Sequence, residues 1–232
     1  MSRSALLKIG DEAVKALQAG DQFGLTELLV WQEVDRIITR RLRLPAFSTW
    51  RRRRLKDLEE YRKPEHWGID PDAALVRALR DSADRHVLVA GAQGAGPAMY
   101  LAARGCAVTA VEPEADAVER VLQAAEAAGF GGRVRSLCGD LDAWRPDVEL
   151  HAVVCSPAAL ARLSPTERAR VIEVLQSATA DGGVHLLETI AAGSEGLALD
   201  ELTTRYRGWS ISIERSAGRP ETFLARKQAA VA

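Results

Sequence analysis

The chain has 232 residues, of which 47% are hydrophobic and 27% charged, and its net charge is −1. This composition is typical of a soluble globular protein and excludes a membrane-spanning one, because no apolar run is long enough to cross a bilayer. The length suits one large α/β domain with an attachment and is short for two full domains.

The cysteines and the N-terminal residues predict a cytoplasmic protein. No secretory leader is expected, because Asp11 and Glu12 interrupt the sequence before any sustained apolar core. Cys106, Cys138 and Cys155 form no Cys-x-x-Cys motif and lie in apolar stretches. We therefore expect all three to be buried, small hydrophobic residues in a reducing compartment.

Three amphipathic helices are predicted in the first 70 residues, at 4–18, 26–42 and 48–61. Apolar residues recur at helical spacing, Pro45 ends the second helix, and Pro64 follows the third. Residues 1–69 are expected to form a helical cap, a lid or a dimerisation segment. The sequence alone does not choose among the three.

A strongly basic stretch lies within this helical region. Residues 36–63 contain eleven Arg or Lys and three acids, and residues 51–54 are all arginine. Such a stretch attracts polyanions, so nucleic acid is one possible partner. The alternative is a solvated helix face, because no aromatic platform for single strands and no zinc-finger spacing accompanies it.

Strands and helices alternate from residue 70 onward, which predicts βαβ units and a mostly parallel sheet. Ser164 and Glu167 stand at capping-box spacing around Pro165 and mark a helix start. Two final strands joined by a turn at 217–218 form a predicted hairpin. The predicted strands are 86–90, 107–111, 134–138, 151–155, 183–188, 209–214 and 221–225, with helices at 71–80, 97–104, 115–128, 165–180 and 200–206.

A glycine-rich turn follows the first of these strands, with Gly91, Gly94 and Gly96. Glycines permit a sharp turn, and the N-terminus of the next helix presents N–H groups to a ligand. Glu112 follows the second strand, where a carboxylate accepts the two hydroxyls of a ribose. A sugar-bearing cofactor is therefore the leading interpretation. The alternative is a nucleotide-free turn, with Glu112 capping a helix that begins at Pro113.

Together these elements resemble class I S-adenosylmethionine-dependent methyltransferases, and most closely the small tellurite-resistance-type enzymes. The resemblance implies an α/β, Rossmann-like sheet of seven strands in the order 3-2-1-4-5-7-6, spanning 70–232 behind the 1–69 helical cap. It covers about residues 65–228. The matching segments are 91–111, Asp140-Leu141, 180–183, 202–209 and 223–227.

The resemblance also implies S-adenosylmethionine as cofactor and S-adenosylhomocysteine as product. The glycine turn would take the methionine and ribose side, Glu112 the ribose hydroxyls, and Asp140 the adenine amine. An alternative for Asp140 is a loop acid that caps a short helix. Trp67 would close over the cofactor or, alternatively, plug an interdomain space. The full implied set is Gly91, Gln93, Gly94, Gly96, Glu112, Asp140, Leu141, Cys155, Ser156 and Trp67.

The turn departs from the family pattern acid-x-Gly-x-Gly-x-Gly. In ungapped alignment Val89 replaces the acid, and two of the three glycines have moved or are absent. The acid organises the loop that holds the cofactor's amino group, so we expect its loss to weaken binding by about 1–3 kcal/mol. Gln93 offers a replacement carbonyl.

A methyltransferase acting on a small-molecule acceptor is the leading functional hypothesis. Transfer from a sulfonium depends mainly on alignment, so the lack of an obvious base does not exclude catalysis. His66 is a candidate base, with packing beside Trp67 as the alternative. Arg215 and Arg219 are candidates for holding an anionic acceptor, with a plain surface role as the alternative. Tyr61, Ser156 and Glu188 are also placed near the expected mouth of the site.

Two rival functions remain. Val89 and the altered turn favour an inactive methyltransferase-fold protein that binds or scaffolds, and the arginine-rich helix favours a nucleic-acid or protein methyltransferase. A homodimer through the N-terminal helices is compatible with each. No metal-ligand cluster is visible in the sequence, and the acceptor cannot be inferred from it.

Overall fold

The computed structural model describes residues 3–18, 27–43, 47–80, 83–188, 199–215 and 221–229. Contacts divide the chain into two units, 1–57 and 58–232. The sequence predicted a boundary at residue 69. Leu58, Tyr61 and Trp67 pack against the core of the second unit, and the domain boundary at residue 69 stays a prediction.

The first unit contains helices at the predicted places: α1 (Arg3–Gln18), α2 (Glu27–Arg41) and most of α3 (Phe47–Tyr61). Ile9 and Ala13 of α1 are buried. Arg41 of α2 forms an ion pair with Glu12 of α1. The two helices therefore join through an apolar stripe and an exposed pair, as amphipathic helices do.

The second unit is built on a seven-stranded sheet in the order β3-β2-β1-β4-β5-β7-β6. Strands β1 to β5 pair in parallel, and β7 pairs antiparallel with both β5 and β6. The predicted order and the α/β class are confirmed. The strands are β1 (His86–Ala90), β2 (Ala107–Glu112), β3 (Val134–Cys138), β4 (Leu150–Cys155), β5 (Thr179–Glu188), β6 (Trp209–Glu214) and β7 (Thr222–Lys227).

Helices connect these strands and cover both faces of the sheet. Alternate residues of β1 enter different cores: Val87 and Val89 pack on the α5 side, and Leu88 packs on the opposite side. A strand buried on both faces therefore reads as a continuous apolar run. The helices are α4 (Ala74–Ala78), α5 (Gly96–Ala103), α6 (Ala115–Ala128), α7 (Pro157–Ala161), α8 (Pro165–Ala178) and α9 (Leu199–Arg205), with a 3₁₀ turn at Pro64–Trp67.

Three local predictions need correction. Helix α7 was not predicted, because a five-residue helix is too short to show a periodic pattern. Strand β5 begins at Thr179 rather than at 183, since Thr179 is already extended at the end of α8. Cys106 and Cys155 are buried as expected. Cys138 is exposed, because it is the last residue of β3, the outermost strand on one side of the sheet.

A buried polar cluster lies in the second core. His185 is fully buried, with its Nε2 2.7 Å from the Thr179 hydroxyl and its Nδ1 2.7 Å from the Tyr206 hydroxyl. Burial lowers the pKa of His185 to about 3. The imidazole is therefore a neutral, hydrogen-bonded group of the core near neutral pH.

Across the described ranges, no helix has both the length and the apolar character that a membrane crossing requires.

Candidate functional site

The glycine turn between β1 and α5 is tied to both neighbouring strands. The Gly91 N–H donates to the Val111 carbonyl at 2.9 Å, and the Ser156 N–H donates to the Ala90 carbonyl at 3.0 Å. The Ser156 hydroxyl donates to the Gly91 carbonyl. The ends of β1, β2 and β4 are thus held together at this edge of the sheet.

Glu112 is the central side chain of this edge and is 0% exposed. Its carboxylate accepts the Ala92 N–H at 3.1 Å and the Gln93 N–H at 3.2 Å. Burial raises the pKa of Glu112, and these two hydrogen bonds partly oppose the rise. Glu112 therefore organises the turn, the task that the sequence analysis assigned to the missing acid at Val89.

Gln93 holds an unusual backbone conformation within the turn. Its φ is 56°, in the left-handed region that favours glycine. Arg120 donates to the Gln93 carbonyl at 3.2 Å. This bond uses the backbone carbonyl of Gln93 and ties the turn to α6, and it does not involve the side-chain carbonyl expected to replace the missing acid.

Two glycines of the turn are required by close backbone approaches. A Cβ at Gly91 would lie 2.6 Å from the Ala159 nitrogen of α7, and the Gly91 φ is +64°. A Cβ at Gly96 would lie 2.6 Å from the Trp67 carbonyl oxygen. Helix α7 and the 3₁₀ turn thus pack directly on the glycine turn.

The space expected for adenine is small. The recess beside Asp140 has a volume of about 10 Å³, which is room for about one water. Asp140 is exposed, with its Oδ1 3.9 Å from the Arg162 Nε, and Leu141 is buried. The recess is lined by Val111, Pro113, Gly139, Asp140, Leu141, Ala158 and Ala159.

The carboxylates at this edge suit a ribosyl cofactor, but the recess beside Asp140 is small. The carboxylates of Glu112 and Asp140 stand at the ends of neighbouring strands, in keeping with ribose and adenine amine. The recess beside Asp140 holds about one water, and the Glu112 carboxylate already accepts two N–H groups of the turn.

A much larger cavity, of about 620 Å³, lies beside this edge at the carboxyl ends of β4 and β5. Glu188, Thr222 and Glu214 stand side by side in its wall, since Thr222 pairs with both glutamates. Val154 and Leu186 contribute apolar surface. The remaining lining residues are Asp70, Asp72, Ala73, Ala74, Leu75, Arg77, Pro97 and Arg215.

The charges in the cavity wall are partly paired. Arg77 forms an ion pair with Glu214, and the Arg215 Nε donates to Glu221 at 2.8 Å. Glu188 keeps exposed surface, yet the surrounding protein withdraws its carboxyl from bulk water and raises its pKa. The cavity can therefore hold a small polar molecule against an apolar floor.

The remaining sequence candidates fall in different places. The Trp67 indole donates to the Tyr61 carbonyl at 2.8 Å and its ring lies 4.7 Å from that of His66, so both belong to an aromatic cluster. Neither residue lines the recess or the large cavity. Burial raises the pKa of the Cys155 thiol to about 12, and Arg219 lies outside the described residues.

Sequence reasoning missed part of this site. Asp70 and Asp72 flank Pro71, and Arg77 and Glu214 are distant in sequence and meet only in the fold. The same holds for Ala159 on α7, whose contact with Gly91 closes the recess. In the sequence, only the two aspartates on either side of Pro71 offered a signal for this cavity.

Comparison with known proteins finds similar structures but no similar sequences. No family profile matches the chain, and no curated protein matches it. Solved structures do. TehB from Haemophilus influenzae aligns with a TM-score of 0.56 and 18% identity, over 66% of this chain and 61% of that one. The chain thus spans less than two thirds of the length of TehB.

This chain covers a larger share of two further solved structures. The N-methyltransferase NodS from Bradyrhizobium japonicum aligns with a TM-score of 0.56 and 15% identity, over 67% of this chain and 93% of that one. Magnesium protoporphyrin IX methyltransferase (ChlM) from Synechocystis, solved with bound SAM, aligns with a TM-score of 0.55 and 17% identity, over 68% and 77%. The class I methyltransferase fold predicted from the sequence is therefore confirmed.

Proposed function

We propose that this chain is an S-adenosylmethionine-dependent methyltransferase that acts on a small-molecule acceptor. The observation that carries the proposal is the placement of two carboxylates in a class I methyltransferase fold. Glu112 ends β2 and pairs in register with Cys138, which ends β3. Asp140 follows two residues after Cys138, at the same carboxyl edge of the sheet. Carboxylates at these strand ends suit the ribose and the adenine amine of the cofactor.

The cofactor would supply an activated methyl group, as it does in the SAM-bound methyltransferases of this fold. Glu112 would hold the ribose, Asp140 the adenine amine, and the Leu141 N–H an adenine nitrogen. The turn from Gly91 to Gly96 would face the methionine side. Each assignment is a proposal about residues of this chain.

The acceptor is proposed to bind in the 620 Å³ cavity. This volume lies within the range of about 300–1,000 Å³ that small-molecule sites occupy. Pro97, at the start of α5, connects the cavity wall to the glycine turn. The wall residues would hold the acceptor in line and exclude water, which is the main requirement of methyl transfer.

Calorimetric titration with S-adenosylmethionine and S-adenosylhomocysteine tests this proposal. We expect saturable binding in the micromolar range, about −8 kcal/mol. Glu112→Ala should weaken binding by about 2 kcal/mol, as for a charge-assisted hydrogen-bonded pair, and Asp140→Ala by about 1 kcal/mol. Asp142→Ala is the matched control, because Asp142 lies in the same loop and should leave affinity unchanged. Unfolding curves establish that each variant is folded.

A second candidate is a methyltransferase-fold protein without catalysis, which binds or scaffolds. The closed recess of about 10 Å³ and the engagement of both Glu112 oxygens by the turn favour it. The same titration separates the two candidates. If neither cofactor nor product binds at millimolar concentration to folded protein, the noncatalytic function replaces the enzyme.

A further inference from the structure

A second cavity lies at the opposite edge of the sheet from Glu112 and Asp140. It has a volume of about 290 Å³ and is bordered by Val87, Ala152 and Val184, in β1, β4 and β5. Arg85 stands immediately before β1 and His151 near the start of β4. This cavity therefore opens at the amino ends of the three central strands.

The lining of this cavity is unusually basic. Four arginines contribute to it, namely Arg77, Arg80, Arg85 and Arg226, and no carboxylate is found among the lining residues that the structure describes. Among the ion pairs that the described residues form, none involves the side chain of Arg80 or Arg85. Arg77 is already paired with Glu214, so the charges of Arg80, Arg85 and Arg226 are the ones that repel each other around the cavity. An anion in the cavity relieves that repulsion.

Two further features suit a bound anion. The Arg226 Nη1 donates to the Gly182 carbonyl at 3.0 Å, which fixes that guanidinium at the cavity wall. His151 lines the same cavity, and its Nδ1 is buried without a hydrogen-bond partner. A buried polar atom without a partner is costly, so a ligand that supplies one is stabilised there.

We propose that this cavity binds the phosphate group of a small molecule. Guanidinium groups bind phosphate through paired, charge-assisted hydrogen bonds, and a phosphate monoester carries a charge of about −1.5 to −2 at neutral pH. The cavity is concave and near the lower limit of small-molecule sites, so it admits one compact phosphorylated group better than a nucleic-acid backbone. The cavity lies at the other edge of the sheet from Glu112 and Asp140, and Arg77 is the lining residue that it shares with the large cavity.

Calorimetric titration of the full chain with inorganic pyrophosphate at low salt tests the proposal. We expect saturable binding that sulfate competes for weakly. The double variant R80Q/R85Q should lose at least tenfold in affinity, since both side chains are exposed and their replacement preserves the fold. Arg77 is left unchanged because it also lines the large cavity.

The matched control is R53Q/R207Q, which removes the same charge from two exposed arginines outside the cavity. Its affinity for pyrophosphate should stay within twofold of the unchanged chain. His151→Phe should weaken binding a few-fold and provides a second variant if R80Q/R85Q does not fold. The proposal is overturned if pyrophosphate does not bind at millimolar concentration, or if both double variants lose affinity equally. Displacement of pyrophosphate by a short DNA oligonucleotide at lower concentration would also overturn it, in favour of nucleic acid.

Discussion

Glu112 combines a position predicted from the sequence with contacts that only the fold shows. Its position at the end of β2 follows from the sequence, but its carboxylate accepts two N–H groups of the glycine turn. A carboxylate has about four acceptor sites, so two sites remain for ribose hydroxyls once these two N–H groups are bound. A ribose bound in the proposed manner would share the carboxylate with the turn.

Gly96 is predicted to be indispensable for packing, whereas Gly94 is not. A Cβ at Gly96 would lie 2.6 Å from the Trp67 carbonyl oxygen, but the nearest atom to a Cβ at Gly94 is 3.9 Å away. Gly96→Ala should lower the free energy of unfolding by about 1–3 kcal/mol, the usual cost of overpacking. Urea unfolding of both alanine variants measures the difference. Equal stability of the two would contradict the close approach.

His185 is predicted to make the protein acid-sensitive. Its pKa is lowered to about 3 in the fold, against about 6.5 in the unfolded chain. Between these values the unfolded chain binds the proton and the folded one does not, so stability is present above pH 6.5 and is lost as pH falls. From pH 6.5 to pH 5 this loss is about 2 kcal/mol.

Denaturant unfolding at pH 7.5 and pH 5.0 measures this effect against His185→Gln. The variant should be less stable at pH 7.5, because its contacts with Thr179 and Tyr206 change, but should lose less stability on acidification. Other titrating groups are common to both proteins and cancel in the comparison. The same acid loss in both would rule out His185 as its source.

At the scale of elements, the start of α8 is the feature that the sequence predicts most directly. Ser164 Oγ accepts the Glu167 N–H at 3.3 Å, and the Glu167 carboxylate accepts the Ser164 N–H at 2.8 Å. Both residues were identified by spacing alone, because a capping box needs only local contacts. Helix α8 then packs Val171, Ile172 and Leu175 into the core.

Ser164→Ala is expected to lower the free energy of unfolding by about 1 kcal/mol, the typical cost of losing an N-cap side chain. Thr166→Ala is the control, since Thr166 is an exposed residue in the same first turn without a capping bond. Thermal or urea unfolding measures both. A loss of the same size in the control would assign the effect to helix propensity.

At the scale of the whole molecule, the two edges of the sheet carry different chemistry. The carboxyl edge combines the closed recess, the Glu112 turn and the 620 Å³ cavity. The amino edge carries the basic cavity of about 290 Å³. Arg77 lines both cavities, so α4 is the element through which they meet.

The small recess beside Asp140 leads us to predict that a conformational step precedes cofactor binding. If the turn and α7 must separate first, the observed rate of S-adenosylhomocysteine binding should stop rising with ligand concentration. Stopped-flow measurement of tryptophan fluorescence follows this rate. An increase that stays linear up to concentrations far above the dissociation constant would show that the cleft is open before binding.

The order of the strands followed from the resemblance to class I methyltransferases. The sequence by itself determined the positions of the strands, the glycine turn, the position of Glu112 and the start of α8. Each of these depends on apolar periodicity or on residues a few positions apart, which a linear pattern records. The sequence also indicated a change at the glycine turn, through Val89 in place of an acid.

Only the tertiary structure decided how the turn is used. The contact of Ala159 with Gly91, the pairing of Arg77 with Glu214 and the meeting of Arg85 with Arg226 join residues far apart in the chain. Such contacts depend on how helices pack on the sheet, and no local pattern specifies that packing. The closed recess and the basic cavity therefore became visible only in the fold.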